Sequence, residues 1–261
     1  MTREVRTDPG PKVAAHHRAG SGVTRVPYPI GVRRATITAI TSVTPAMTRV
    51  TFGGDGLNGL HTYQADDHVR IVFPDPDGTR RDPVPNADDM LDWPDPFPPT
   101  RKYTIRRYDP VTSELDLDFV LHEGGLASTW VRNATVGEEV TIAGPPGAMA
   151  FAQTYGHYAF VVDATALPAL ARWLDESPAD VSAHVVVFDD ERAYPLAERE
   201  RVTVTYDEPD AVRGLPLPEG TFVFAAGEAT ALKPVRTWTR GRFDNLVTGY
   251  WKRGVAAHSD D

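Results

Sequence analysis

Residues 139–174 read EVTIAGPPGAMAFAQTYGHYAFVVDATALPALARWL, and the texture of the chain changes inside this stretch. Glu139–Ala143 is short, partly β-branched and closed by Gly144-Pro145-Pro146-Gly147, which reads as a strand ending in a turn. Beyond Phe151 the run Tyr158–Val162 is continuously apolar, which suits a parallel strand covered on both faces. Leu167–Leu174 then spaces its apolar residues as a helix does. A strand followed by a helix predicts an open α/β sheet, so a domain boundary is expected near residue 150.

Upstream of that boundary the pattern is of short strands. Val32–Phe52 carries two β-branched runs with Pro45 between them, and His68–Phe73, Lys102–Tyr108, Leu115–His122 and Glu139–Ala143 supply the rest. With one short helix in LASTWVRN, residues 31–150 are expected to form an antiparallel barrel. Residues 74–100 are dense in Pro, Asp and Gly and read as a long surface loop of the kind that is functional or disordered. Residues 1–30 read as a mostly flexible arm, with His16 and His17 as solvated tail histidines. Downstream, Val181–Phe188, Val202–Tyr206, Thr221–Ala226 and Asn245–Tyr250 are further strands, and Leu232–Arg240 a helix, so 151–261 is the α/β domain.

The bulk numbers limit the chemistry. Apolar residues make up 41% of the 261, enough for real cores. No run approaches the ~20 apolar residues that span a bilayer, and the first residues lack a signal-peptide core, so a cytoplasmic protein without membrane insertion is expected. There is no cysteine, which excludes disulfides, thiolate metal sites and a Cys nucleophile. A net charge of −9 argues against nucleic acid as a partner. An anionic ligand must then be met by locally concentrated Arg and Lys.

Five segments carry the candidate chemistry. Arg101-Lys102-Tyr103-Thr104 resembles the Arg-x-Tyr-Ser/Thr signature of the ferredoxin–NADP reductase superfamily, in which a barrel holds a flavin and an α/β domain docks a nicotinamide. Arg101 and Tyr103 are two apart and share a strand face, so a guanidinium and a phenol ring are presented together. His122-Glu123-Gly124-Gly125-Leu126-Ala127-Ser128-Thr129-Trp130 resembles the His-x-x-Gly-x-Ala-Ser/Thr pattern, followed closely by Trp, of siderophore-interacting proteins, and a helix opening at Ala127, Ser128 and Thr129 offers N–H groups to a phosphate. Val162-Asp163-Ala164-Thr165-Ala166-Leu167-Pro168 is similar to the family's Gly-Asp-Glu-Thr-Ala-Leu-Pro, with Val162 for Gly and Ala164 for Glu. Ala226-Gly227-Glu228 through Lys233 and Gly249-Tyr250-Trp251-Lys252-Arg253-Gly254 complete the resemblance, which runs from about residue 33 to 254 in matching order.

The resemblance implies bound FAD, a ferric siderophore as substrate, and NADPH or NADH as electron donor, with ferredoxin as another possible donor. It implies cofactor contacts at Arg101, Tyr103, Thr104, His122, Gly125, Ala127, Ser128, Thr129, Asp163, Thr165, Ala166, Gly227, Glu228 and Trp251. His68 and Arg70, two apart on one strand, and Lys252 and Arg253 are the expected contacts for an anionic siderophore. No protein nucleophile and no resident metal site are expected, His184 is expected to be structural, and a monomer is expected. The alternatives are a general NAD(P)H:flavin or electron-transfer reductase, and a flavin- or siderophore-binding module without turnover.

Overall fold

The structure is a computed structural model that describes residues 8–88 and 90–256. Within the segment that composition assigns to a flexible arm, Gly10–Ala19 forms a helix (α1) and Val23–Pro27 a strand (β1). Asp8 accepts the Gly10 N–H at 2.9 Å, and Pro11 suits a first helical turn. His16 and His17 therefore lie on α1. The His16 ring meets the Gly22 carbonyl at 3.3 Å, and the His17 carbonyl accepts the Gln153 N–H at 3.0 Å.

The described chain divides into two compact units. One holds Arg25–Met149, the other Ala14–Thr24 and the chain from Ala150 onward. The first is a closed barrel of six strands: β2 (Val32–Thr44), β3 (Met47–Gly53), β4 (His68–Val72), β7 (Thr100–Asp109), β8 (Glu114–Val120) and β9 (Glu139–Ala143), in the order β2-β3-β8-β7-β4-β9. The two short strands β5 (Val84–Pro85) and β6 (Leu91–Asp92) pair inside the loop 74–100, and β10 (Gly147–Phe151) pairs with β1. Barrel closure follows from strand alternation. Leu115, Leu117 and Phe119 of β8 point into the core, while Asp116 and Asp118 between them are held from outside by Arg107 at 2.8 Å and Arg49 at 2.7 Å. Helix α2 (Leu126–Asn133) adds Ala127 and Val131 to that core, with Trp130 packed on Phe119 and Phe73.

The second unit is a five-stranded parallel sheet. Its strands are β11 (Tyr158–Val162), β12 (Ala183–Val187), β13 (Val202–Tyr206), β14 (Phe222–Glu228) and β15 (Asp244–Trp251), in the order β13-β12-β11-β14-β15. Helix α3 (Leu167–Glu176) joins β11 to β12, and α4 (Lys233–Thr239) joins β14 to β15. All five β11 residues are buried, as the unbroken apolar run requires. The strand–helix alternation is incomplete. Only a short 3₁₀ turn, Pro209–Gly214, precedes β14, and Pro195 and Pro209 interrupt helix formation on either side of β13. The order reverses between β11 and β14, which makes their carboxyl ends the topological switch point. Among the described residues no helix is long and apolar enough to cross a membrane.

Candidate functional site

On the barrel, the register of β4 against β7 sorts the candidates onto two faces. Tyr103 pairs with Val69 and Arg101 with Ile71, so those two side chains share the face of the apolar core residues. His68 pairs with Thr104 and Arg70 with Lys102 on the opposite face. The Tyr103 ring lies on Phe119, centroids 4.1 Å apart, and burial pushes its phenol above the usual value. One Arg101 N–H donates to the Thr100 carbonyl at 2.7 Å, leaving the rest of the guanidinium fork uncommitted by that bond.

Helix α2 comes soon after β8. Gly124 adopts φ +70, and Gly125 is the N-cap with no side-chain cap bond. The first intrahelical bond runs from Thr129 N–H to the Gly125 carbonyl, so the amides of Leu126, Ala127 and Ser128 precede the ladder. A Cβ at residue 125 would sit 2.3 Å from the His122 ring, so glycine there makes room for the imidazole. Ser128 is 2% exposed. Its hydroxyl accepts the His122 N–H at 3.0 Å and donates to the Val120 carbonyl at 3.3 Å. That side chain ties α2 to β8, and only its backbone N–H is left for a phosphate. Thr129 is exposed. A guanidinium and an uncapped helix start offer donors for a pyrophosphate, an aromatic ring offers a flat face, and with these the barrel residues fit FAD.

In the α/β unit the candidates converge at the switch point. Asp163, 3% exposed, accepts four hydrogen bonds: from the Thr165 N–H (2.9 Å) and hydroxyl (2.6 Å), the Glu228 N–H (2.8 Å) and the Trp251 indole Nε1–H (2.8 Å). Burial pushes its carboxyl above the usual value, against these donors, which favour the ionised form. Gly227 has φ +147, and a Cβ there would meet Asp163 Cγ at 2.5 Å and Phe188 at 2.8 Å. Glu228 accepts the Ala231 N–H at 2.6 Å and the Arg253 N–H at 3.1 Å. Burial alone would raise its carboxyl, but the amide bonds together outweigh burial and draw it below the usual value. Ala166 is buried at the N-cap of α3, and Val162 and Ala164, which replace the Gly and Glu of the family pattern, are also buried. Asp163, Gly227, Glu228 and Trp251 are thus one interlocked cluster at three strand ends. Trp251 keeps 37% of its surface exposed while its indole N–H is spent on Asp163.

The four expected substrate contacts divide between the units. Lys252 and Arg253 are exposed after β15. His68 is pushed down to about 4, first by burial and then by the Lys102 and Arg70 cations, so it is neutral near pH 7. Arg70 donates to Thr100 Oγ1 at 3.1 Å, and its guanidinium lies 5.9 Å from the Trp93 ring centroid. Sequence reasoning misses Lys102 and Trp93. Lys102 is the unspecified residue of the Arg-x-Tyr-Thr motif, and Trp93 lies in a loop with no periodicity. Two aromatic residues, at 93 and 97, amid prolines are the signal that could have found them. His184 meets His157 Nε2 at 2.9 Å, and the other His157 nitrogen meets Ser182 Oγ at 2.8 Å, away from the strand ends that carry the cluster.

Comparison with known proteins matches residues 36–149 to the siderophore-interacting FAD-binding domain and residues 155–254 to the siderophore-interacting protein family. The chain is 34% identical over 152 residues to the NADPH-dependent ferric-chelate reductase of Escherichia coli, covering 58% of this chain and 59% of that protein. It is 28% identical over 234 residues to the ferric vibriobactin reductase ViuB of Vibrio cholerae, covering 81% of this chain and 86% of that protein. A siderophore utilization protein from T. fusca superposes with a TM-score of 0.82 at 34% identity, covering 91% of this chain and 98% of that one. With the barrel donors and the switch-point cluster falling inside the two matched segments, the chain belongs to the siderophore-interacting protein family.

Proposed function

We propose that the chain is an FAD-dependent ferric-siderophore reductase, which reduces Fe(III) to Fe(II) and so releases iron from an imported siderophore. The observation that carries this reading is the pairing of Arg101 and Tyr103 on β7 with the uncapped start of α2, in a segment matched to an FAD-binding domain. When bound, FAD supplies two-electron uptake from a nicotinamide and one-electron delivery to iron. Arg101 and the amides of residues 126–128 hold the pyrophosphate, Tyr103 gives the ring system a flat wall, and Thr104 lies beside it in the chain. His122 orders the glycine turn that aims the α2 amides. Asp163, Thr165, Ala166, Gly227 and Glu228 shape the crevice that receives the electron donor, NADPH or NADH, with ferredoxin as the other candidate. Gly227 lets the backbone pass where a side chain would collide. Trp251 is fixed by Asp163 and leads the chain to Lys252 and Arg253. These two cations in the α/β unit, and Arg70 on the barrel, each attract an anionic chelate locally, while His68 shapes the Arg70 face without adding charge.

Ferric siderophores hold Fe(III) through hard oxygen donors, and Fe(II), with its lower charge, is held far less tightly by the same donors, so reduction is release. A nicotinamide or ferredoxin donor fits a cytoplasmic protein, and a single chain supplies both matched domains, which fits a monomer. The test is anaerobic addition of NADPH or NADH to the FAD-loaded protein, with and without a ferric siderophore and an Fe(II)-trapping dye. Flavin bleaching followed by trapped Fe(II) is expected. Bleaching without any Fe(II) would leave a general flavin reductase. No bleaching by either nucleotide or by reduced ferredoxin would leave a binding module.

A further inference from the structure

The α/β unit carries a cavity at the end of its sheet opposite the switch point. It measures about 240 Å3 and is bounded by the segments entering β11, β12 and β13 and by the end of α3. Tyr158 opens β11, Ser182 precedes β12 and Arg201 precedes β13. In the sheet register Tyr158 is level with Ala183, and Ala183 with Val202. Asp163 follows the last residue of β11, so the ~3.3 Å rise of each strand residue puts the cavity about 16 Å from the switch-point cluster.

Three aromatic residues line the cavity. Trp173 of α3 lies on Tyr158 with ring centroids 5.0 Å apart, and Tyr155 meets Tyr158 edge-on at 5.9 Å. The hydroxyls of the lining are spent inside the protein. Tyr155 donates to Asp244, Tyr158 to the Ala152 carbonyl and Ser177 to the Trp173 carbonyl, while Ser182 meets the His157 ring. Two donors of the lining are left short of acceptors. Trp173 is 2% exposed, and among the described residues its indole N–H has no acceptor. Arg201 is exposed, gives one N–H to the Asp180 carbonyl at 3.4 Å, and makes no ion pair among the described residues. Neither an indole nor a guanidinium can accept a hydrogen bond, so both call for an acceptor. Asp180 is itself exposed, with its carboxylate in water. A buried indole N–H without an acceptor carries a desolvation cost that a bound acceptor removes.

We propose that this cavity is a second ligand site, which takes a small aryl carboxylate. A cavity of ~150 Å3 holds a benzene ring, so this one has room for the ring and its carboxylate. The ring lies against Tyr158 and Trp173, where offset and edge-on contacts are favourable. The carboxylate accepts from the Arg201 fork in a charge-assisted bond and offers the indole N–H the acceptor it lacks. The site stands apart from the reductase reading, because none of its residues belongs to the cluster at the carboxyl ends of the strands.

The experiment titrates the FAD-loaded, isotope-labelled full chain with sodium benzoate and follows the indole N–H resonances. The chain has five tryptophans, and Trp173→Phe identifies the resonance that belongs to Trp173. That resonance is expected to move saturably, with a Kd in the millimolar range that suits so small a ligand. Benzamide, which keeps the shape without the charge, and benzylamine, which reverses the charge, should each bind at least about tenfold more weakly. Arg201→Gln should weaken benzoate by a similar factor with flavin content unchanged, and Arg201→Lys should keep part of the affinity. A Trp173 resonance that stays in place throughout the titration would overturn the proposal. So would benzamide or benzylamine binding as tightly as benzoate, or an unaltered affinity in Arg201→Gln. Shifts confined to the other indoles would put benzoate elsewhere and overturn it equally. If Arg201→Gln folds poorly, benzoate against benzamide on the wild type decides by the same criterion.

Discussion

Arg101 and His68 stand on adjacent strands and face opposite sides of the same ladder, and their charges are handled in opposite ways. Arg101 is half-buried, and its bond to the Thr100 carbonyl commits a single N–H of the fork, so the proposed FAD site gives it a role in binding rather than in folding. Arg101→Ala should strip most of the FAD from purified protein while shifting the unfolding free energy of the FAD-free protein by no more than about 0.5 kcal/mol. The flavin-to-protein absorbance ratio checks this, and normal occupancy would remove Arg101 as the phosphate anchor. His68 is held neutral by burial and by two cations, with its folded value pushed down to about 4. The unfolded chain takes up that proton near pH 6.5. Between those values the unfolded state binds more protons, so stability falls as pH drops through the window, by at most about 3 kcal/mol from this group. Urea midpoints measured at pH 7 and at pH 5 should differ less for His68→Gln than for the wild type. Equal differences would mean that the imidazole is not held neutral.

At the scale of elements, two glycines set how a strand hands over to the next segment of chain. At Gly227 the backbone bulges out of register with β15 and leaves φ +147, with Asp163 and Phe188 filling the space a side chain would need. Gly227→Ala combines strain with overlap and should cost on the order of 2 kcal/mol, read as a drop of several degrees in melting temperature. A shift below one degree would show that the strand end relaxes freely. At Gly125 the three atoms nearest to an added Cβ all belong to the His122 ring. Gly125→Ala should therefore weaken FAD retention by displacing the turn, and adding His122→Ala should recover part of the loss. Simple additivity of the two changes would argue against this coupling.

For the molecule as a whole, FAD binds the folded state and stabilises it by mass action. At a free concentration of 100 times Kd the gain is about 2.7 kcal/mol. The melting temperature should climb steadily with added FAD, and a melting curve indifferent to FAD would contradict the barrel site. The net charge of −9 sets the other global expectation. In the proposed reductase the attraction of an anionic chelate is local, at Arg70, Lys252 and Arg253, and exposed charges are screened beyond ~8–10 Å at moderate salt. Raising salt should lift the apparent KM for an anionic ferric chelate and leave that for a neutral one nearly unchanged. Equal responses would reduce these cations to a solvated rim.

The sequence by itself determined what repeats at short range. Runs such as VRRATITAIT and EVTIA carry β-branched residues at strand spacing, and all six barrel strands were legible in them and their neighbours. YAFVV declared itself a parallel strand because both of its faces are buried. The motifs placed Arg101 with Tyr103 and opened a helix after Gly125, because two-residue and helical periodicities are local properties of the chain. What joins distant residues was decided by tertiary structure. The bond from Trp251 to Asp163 spans 88 positions, and no local pattern reveals that this indole N–H is already spent. Composition marks residues 10–27 as flexible, yet α1 and β1 form there, since partners such as Gln153 and β10 lie far along the chain. Alternation pairs His68 with Arg70 and Arg101 with Tyr103. Only the β4–β7 register decides that the two pairs face opposite ways, because a shift of one residue in an antiparallel ladder exchanges the faces of an entire strand.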